Sequence, residues 1–281
     1  MQQSLIRIFS HVSPRWLYPL VSVWVLGYII FAPSGTKGIY YYWRHCQKKG
    51  RLESCILLYR NYFEFGKVIL DRFAAYSGRS FNVRIEGGDL IDRLQKQSGG
   101  FIVISSHIGN QELAGYVTRT KKPMCVLLWT GDTDTVNSNR ERMFNRMGLY
   151  FLPMQKDGSH IFEMHNALSR GEILSIHGDR MFYGGRTMTA PLLGNEAAFP
   201  EGPYRVAAIE GVPVITMFMM REKADTYTLY IRELATGREE GDAKSKASMI
   251  LNRFADEMEA VLEKYPLQWF HFYQFWDQGK Q

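Results

Sequence analysis

Two side chains that could exchange a proton, His107 and Glu112, stand five positions apart directly after the apolar run 101–106. This run is typical of a buried strand, and Gly109 supplies a turn before a helical segment. On one continuous helix, positions five apart lie about 140° apart around the axis, so these side chains can meet only across a turn. A carboxylate that accepts the imidazole N–H fixes the tautomer and makes the ring a better base for a hydroxyl proton. We therefore predict that His107 is a general base and that Glu112 orients it.

The spacing of His107 and Glu112 carries weight only because of its context. Seven histidines, in a chain with about one acidic residue in ten, give roughly 0.7 chance pairs at this spacing. The alternative is a surface histidine beside a glutamate that favours a helix start through the helix dipole. The strand before the pair and the turn within it favour the functional interpretation.

A second group of polar residues, Asp179 and Arg180, follows another predicted central strand at 172–176. The carboxyl ends of central strands meet at one edge of an α/β sheet, where sites assemble. We therefore expect Asp179 and Arg180 to approach His107. A buried arginine there can hold a phosphate or an acyl carbonyl, with Asp179 orienting the guanidinium. The alternative is a structural ion pair that closes the loop.

Two further residues are candidates for substrate binding. Arg140 lies in a predicted helix at 137–147, just past a predicted strand at 124–129, and could bind an anionic group. The alternative for Arg140 is an ordinary solvated helix residue. Asn110 lies in the turn that follows His107.

The segments that must position these residues alternate between strand and helix patterns. We predict strands at 81–85, 101–106, 124–129, 149–152, 172–176, 212–217 and 226–231, and helices at 89–97, 110–119, 137–147, 158–169, 203–210 and 244–265. Repeated alternation with short connections predicts an α/β fold with a mainly parallel central sheet flanked by helices.

The N-terminal region contains an uncharged stretch, 16–32, of 17 residues. Its length as a helix, about 26 Å, approaches a hydrocarbon core of about 30 Å. Basic residues are more numerous after it than before it, which places the downstream chain in the cytoplasm, and its aromatic residues suit the membrane interface. A cleaved signal peptide and an ordinary buried helix are the alternatives. We predict a hydrophobic membrane-associating arm at 1–49 and a catalytic domain at 50–281.

The composition fits one large domain with a full core, because 46% of the 281 residues are hydrophobic. A formal net charge of +6 attracts acidic partners such as an anionic membrane surface or an acidic carrier protein. Nucleic acid is not expected, because no basic run or RNA-binding aromatic signature occurs. The three cysteines contain no Cys-x-x-Cys pair, which indicates neither disulfides nor zinc and fits a reducing compartment.

Known motifs of other chemistries are missing from the sequence. No Gly-x-Ser-x-Gly elbow of serine hydrolases and no nucleotide-binding glycine loop occurs. His160 and His165 are five positions apart, and no glutamate directly follows His160 as it does in the zinc-protease motif, so we expect no metal site.

Four segments, in this order, together resemble the lysophospholipid acyltransferase-like superfamily and, within it, the lipid A late acyltransferase branch of lauroyl and myristoyl transferases. They are His107 to Glu112, Gly178 to Arg180, Ala208 to Val214 and Tyr265 to Phe270. The likeness covers nearly the whole chain. In that family the histidine is the general base and the acid its partner, which the resemblance transfers to His107 and Glu112.

The resemblance also implies a reaction. A fatty acyl group passes from a thioester, usually acyl carrier protein but alternatively acyl-CoA, directly to a lipid hydroxyl, with no covalent intermediate and no cofactor. It implies an enzyme of the bacterial inner membrane with its catalytic domain on the cytoplasmic side.

Two segments depart from family patterns. The C-terminal segment 268–276 is aromatic where lipid A enzymes typically carry arginines, so a lipid A precursor is one acceptor among several. The segment 199–202 spells the start of the phosphate-binding motif of glycerolipid acyltransferases, but Pro203 departs from it. We therefore leave Glu201 out of the predicted site.

Two other functions fit the same residues. Attack by water instead of an alcohol would make the protein an acyl thioesterase. A protein that binds lipid or an acyl carrier without catalysis would use the same basic groove. The hydrophobic arm favours a lipid acceptor.

Overall fold

A seven-stranded sheet forms the centre of the structure, a computed structural model that describes residues 13–31, 33–118, 120–128, 148–155, 157–181 and 185–276. The strands of the described residues are β1 (Asn82–Glu86), β2 (Phe101–Ser105), β3 (Met124–Leu128), β4 (Leu149–Pro153), β5 (Ile173–His177), β6 (Thr187–Leu192), β7 (Asn195–Pro200), β8 (Val214–Lys223) and β9 (Thr226–Ala235). β6 and β7 form a hairpin outside the seven-stranded sheet. The order across the sheet is β1, β9, β8, β2, β5, β3, β4. Neighbours are parallel except β8 and β9. The predicted α/β fold with a mainly parallel sheet is confirmed.

Helices cover both faces of this sheet. They are α1 (Tyr18–Phe31), α2 (Pro33–Tyr41), α3 (Arg51–Tyr76), α4 (Gly88–Lys96), α5 (Gln111–Thr118), α6 (His160–Ser169), α7 (Glu201–Glu210) and α8 (Ala243–Lys264). A π-helical turn at Tyr42–Cys46 follows α2, and short 3₁₀ turns occur at Pro14–Leu17 and Pro266–Gln268.

The central strand β2 is buried on both faces. Ile102 and Ile104 belong to a core with residues of α6, α7 and α8. Phe101 and Val103 point to the opposite side and belong to a second core with residues of α4 and α5. Because side chains alternate along a strand and helices cover both faces, β2 is an uninterrupted apolar run, as parallel strands usually are.

The boundaries of most predicted elements agree with the structure to within a few residues, and two regions differ. β8 begins at Val214 and extends to Lys223, well beyond the predicted 212–217, because it pairs antiparallel with β9. The separate hairpin of β6 and β7 was not predicted. The predicted helix at 137–147 lies outside the described residues.

The N-terminal arm packs on α3. The Tyr59 hydroxyl donates a hydrogen bond to the Ser22 carbonyl over 3.1 Å, and the Tyr28 and Tyr62 rings meet edge to face with centroids 5.5 Å apart. Pro14–Phe31 is the one helical stretch of the described residues that is long and apolar enough to cross a membrane, judged by length and composition. The predicted boundary between arm and catalytic domain stays a prediction.

Candidate active site

The carboxyl ends of β2 and β5 bring the predicted polar residues together. The two strands are parallel neighbours, with Ser105 opposite His177 in the register. His107 follows the end of β2 and Asp179 follows the end of β5, so both lie at the same edge of the sheet. The sheet topology therefore joins residues that are 72 positions apart in the chain.

His107 and Asp179 form a hydrogen-bonded dyad. The distance from His107 Nδ1 to Asp179 Oδ1 is 2.8 Å, and the His107 backbone N–H donates to Asp179 Oδ2 over another 2.8 Å. An ionised carboxylate only accepts, so the proton of the neutral imidazole lies on Nδ1. The other ring nitrogen, Nε2, is then the one that can take a proton from an alcohol, and the His107 side chain is partly exposed.

The surroundings of Asp179 keep its carboxyl ionised. Burial raises the pKa of this fully buried group, but the positive charge and N–H donors of His107, with the charge of His177, outweigh burial. The net result is a pKa below the ordinary aspartate value. A buried anion at Nδ1 can stabilise the imidazolium that forms when Nε2 accepts a proton.

Glu112 lies in the first turn of α5 and contacts two residues of α3. Its Oε1 accepts a hydrogen bond from Arg72 Nη1 over 2.7 Å, and its Oε2 accepts one from the Tyr76 hydroxyl. The Glu112 side chain is 16% exposed, whereas that of Asp179 is 0% exposed. The structure thus shows Asp179 at Nδ1 of His107, and the orienting role assigned to Glu112 stays a prediction.

A second histidine, His177, lies beside the dyad. Its ring centroid is 4.7 Å from that of His107, with the rings inclined by 41°. Its Nδ1 is 2.8 Å from Ser105 Oγ. The sequence interpretation gave His177 no role, although its place at the end of a central strand was a usable signal.

A cavity of about 100 Å³ lies next to Glu112 and His177 on the α5 side of the sheet. The polar residues in its lining are Ser105, Gln111, Glu112, Ser175 and His177. The other lining residues are mostly apolar, such as Val103, Met124, Val126, Leu149, Phe151 and Met217. His177 connects this cavity to the dyad, because its ring also lies beside that of His107. A mostly apolar lining with a few polar groups suits a ligand with a reactive head and a hydrocarbon tail.

The C-terminal segment 268–276 forms backbone hydrogen bonds with the loop that carries His107. The Phe270 N–H donates to the His107 carbonyl over 2.9 Å, and the Gly109 N–H donates to the Gln268 carbonyl over 2.8 Å. Gly109 has φ +70°, and a Cβ there would lie 2.2 Å from the Met219 carbonyl oxygen. Only glycine fits this turn, because both the backbone conformation and the contact with β8 exclude a side chain.

The four predicted substrate-binding residues have different outcomes. Arg180 is exposed rather than buried, with its guanidinium 5.5 Å from the centre of the Tyr273 ring, so the expectation of a buried arginine was wrong. Asp179 does not orient this guanidinium through its carboxylate, whose oxygens accept from His107. The reason is the direction of the chain after β5, which sends Asp179 inward and Arg180 outward.

Asn110 and Arg140 complete the predicted set. Asn110 is buried, and its Oδ1 accepts the Leu113 N–H over 3.2 Å, which caps the start of α5. A contact of Asn110 with substrate stays a prediction. Arg140 lies outside the described residues.

No group of three or more histidine, cysteine, aspartate or glutamate side chains in the described part of the chain is arranged to hold a metal ion. The His107–Asp179 dyad offers acid–base chemistry on its own side chains. A base held by a buried carboxylate beside an apolar cavity can remove a proton from an alcohol or water next to a bound acyl group.

Residues 60–278 match the model of a protein family described as bacterial lipid A biosynthesis acyltransferase. The match includes β1 to β9, the dyad, the cavity and the C-terminal segment. No curated protein matches the chain.

Proposed function

The chain belongs to the bacterial lipid A biosynthesis acyltransferase family, and we propose that it transfers a fatty acyl chain from an acyl thioester to a hydroxyl of a membrane lipid. The single observation that supports this reaction most is the His107–Asp179 dyad beside the apolar cavity. Family membership implies acyltransferase activity. The donor, the acceptor and the residue roles below are our proposal.

The proposed reaction begins with proton transfer to His107. Nε2 of His107 takes the proton of the acceptor hydroxyl while the hydroxyl oxygen attacks the thioester carbonyl. Asp179 holds the Nδ1 proton and stabilises the resulting imidazolium. When the tetrahedral intermediate collapses, the carbon–sulfur bond breaks and the imidazolium returns its proton to the departing thiolate. The products are an ester and a thiol.

The start of α5 can stabilise the negative charge on the attacked carbonyl oxygen. Backbone N–H groups in the first turn of a helix have no acceptor within that helix, and the helix dipole is positive there. The Asn110 N–H already donates to the Met219 carbonyl, and the Leu113 N–H already donates to Asn110 Oδ1. We therefore assign the oxyanion site to the backbone N–H of Gln111 in this first turn.

Glu112 has a supporting role in this proposal. Glu112 lines the cavity, and its carboxylate is held by Arg72 and Tyr76 of α3. A fixed negative charge there can assist the histidines in proton transfer. The proposal assigns the Nδ1 position to Asp179 and keeps Glu112 as a second acid of the site.

The donor is proposed to be acyl carrier protein, with acyl-CoA as the alternative. The net charge of +6 favours an acidic carrier. The acceptor is a membrane lipid such as a lipid A precursor, which the apolar arm beside α3 supports. We propose the bacterial inner membrane as the location, with the dyad on the cytoplasmic side.

The central test measures acyl transfer with the purified protein, an acyl thioester and lipid acceptors in mixed micelles. His107→Ala should lower kcat by about 10² to 10⁴, the usual contribution of a general base. His165→Ala is the control, because this exposed imidazole pairs with Glu210 and does not line the cavity. Activity of His107→Ala within a few-fold of the wild type would refute the assignment. Release of free fatty acid without ester formation would favour a thioesterase instead.

The acyl chain is proposed to place a few of its methylene groups in the apolar cavity, whose volume is about 100 Å³, and Gly115 tests this placement. Gly115 lines the cavity, and a Cβ there would lie 3.4 Å from Leu149 Cδ2, so alanine fits. Gly115→Phe should fill the cavity and shift the preferred donor to shorter acyl chains, whereas Gly115→Ala should keep the wild-type preference. The measurement is the ratio of kcat/KM values across a series of thioesters. An unchanged ratio in a folded Gly115→Phe variant would place the acyl chain elsewhere.

A further inference from the structure

One apolar surface of the molecule takes no part in the proposed reaction. On α1, the outward stripe of Leu20, Val23, Trp24, Ile30 and Phe31 is exposed, with Trp24 79% exposed. Exposed apolar surfaces of this extent on a protein mark an interaction site. The spacing of three and four residues places these side chains on one side of the helix.

The opposite side of α1 is fixed to α3 along its length. Near the start of α1, the Tyr18 hydroxyl donates to Asp71 Oδ1 over 3.0 Å. Farther along, Val21 packs against Gly66, where a Cβ would lie 2.3 Å from Val21 Cγ1. Tyr28 then meets Tyr62. From its start to its end, α1 therefore runs from the Asp71 end of this contact toward the Tyr62 end. The two helices are antiparallel.

The α3 stripe that carries α1 continues beyond it. Tyr59 and Phe63 pack toward α1, and Leu52 and Ile56 lie on the same side of α3 by helix geometry. Leu52 is 76% exposed and Ile56 is also exposed. The outward face of α1 therefore joins an uncovered apolar stripe of α3 to form one surface, which we call the arm face.

α3 cannot enter a hydrocarbon core to let α1 cross it. Asp71 of α3 is buried and pairs with Arg221 of β8, Oδ2 to Nε, over 2.9 Å, and the Tyr227 hydroxyl donates to the same oxygen over 2.7 Å. These contacts tie α3 to the sheet.

The charges around the arm face fit an anionic bilayer. Arg51 and Arg60 are exposed and flank the Leu52–Ile56 stripe, roughly 120° and roughly 60° from its middle on opposite sides. Glu53 lies nearby and pairs with Lys49 over 3.3 Å. Lys37 and Lys48 are exposed in the segment that follows α1. α1 itself is uncharged, and the basic side chains of α3 and of the segment after α1 give the apolar arm face a basic border that suits an anionic membrane surface.

We propose that α1 lies parallel to the membrane plane and inserts the arm face into one leaflet of an anionic bilayer, so that both ends of α1 stay on the side of the catalytic domain. This inference deepens the proposed membrane association and does not depend on catalysis. It brings the cavity and dyad to a bilayer from one side only. A lipid hydroxyl then reaches His107 without α1 crossing the membrane.

The deciding experiment labels cysteines with a membrane-impermeant maleimide, in the full-length protein expressed in bacteria. Cys55 is exposed on α3 and reports the side of the catalytic domain, whereas Cys46 and Cys125 are buried. Arg15→Cys and Ser34→Cys, each combined with Cys55→Ser, report the two ends of α1. Cys55 of the wild type and the introduced cysteines of the Arg15→Cys and Ser34→Cys variants should be labelled in inverted membrane vesicles and protected in intact spheroplasts. Labelling of the Arg15→Cys protein only in spheroplasts would show a crossing helix and overturn the proposal.

A second experiment tests the arm face itself. Trp24→Glu should lower binding of the purified protein to vesicles that contain phosphatidylglycerol by at least tenfold. Ile209→Glu is the control, because Ile209 is a 65% exposed apolar residue on α7, outside the arm face. Unchanged vesicle binding of Trp24→Glu, or conversion of a dimer to a monomer with vesicle binding retained, would overturn the proposal and assign the arm face to another occupant. Thioester turnover measured in the same samples reports separately on the proposed function.

Discussion

The two carboxylates near His107 have different surroundings. Asp179 is fully buried and uses both oxygens to accept hydrogen bonds from His107. Glu112 is partly exposed and is held by Arg72 and Tyr76 on a different helix. The acid that is near in sequence is thus anchored to α3, and the acid that is far in sequence holds the imidazole. Sequence spacing and spatial partnership are separate properties of this site.

The largest expected effect comes from Asp179→Asn. An asparagine keeps the size of the side chain but removes the charge that stabilises the imidazolium and sets the tautomer. We expect kcat to fall by about 10² to 10⁴, close to the loss in His107→Ala. Because the two residues act as a unit, the double variant should lose little more than either single variant. Additive losses in the double variant would separate Asp179 from His107.

Glu112→Gln should have a smaller effect. This change weakens the contact with Arg72 beside the cavity but leaves the hydrogen bonds between Asp179 and His107 in place. We expect kcat to fall by about tenfold, which corresponds to about 1.4 kcal/mol. The comparison is made with Asp179→Asn in the same assay. If Glu112→Gln costs as much as Asp179→Asn, Glu112 is the orienting acid, as its position in the sequence predicts.

The smallest expected effect concerns stability at low pH. The pKa of Asp179 is lower in the folded protein than the ordinary value of about 3.9. Its ionised form therefore contributes stability above pH 3.9, and this contribution is lost as the pH falls through the folded-state pKa. Between pH 5 and pH 3, the urea midpoint of the wild type should fall more steeply than that of Asp179→Asn. Equal slopes for the two proteins would contradict the lowered pKa.

Much of the fold could be predicted from the sequence because local patterns carry it. The apolar run of β2, the turn at Gly109 and the alternation of strands and helices all follow from periodicity and backbone preferences. The antiparallel extension of β8 is different, because it depends on pairing with β9. Each strand of the hairpin of β6 and β7 contains a proline, so its local strand pattern was weak.

The candidate site could be predicted only in part. The position of His107 at the end of a central strand was visible in the sequence. Arg180 was expected to be buried but is exposed, because adjacent residues at a strand end point in opposite directions. The Phe270 N–H donates to the His107 carbonyl and so joins the C-terminal segment to the loop that carries His107. No local pattern predicts a contact between segments so far apart in the chain.

The sequence by itself determined the α/β class, the strand end that carries His107, and an apolar stretch near the N-terminus, because each depends on neighbouring residues. Only the tertiary structure decided which carboxylate meets the imidazole and which face of α1 stays exposed. Those outcomes depend on which strands are neighbours in the sheet and on how α1 packs against α3. Packing of this kind joins residues from distant parts of the chain, and their spacing in the sequence carries no information about it.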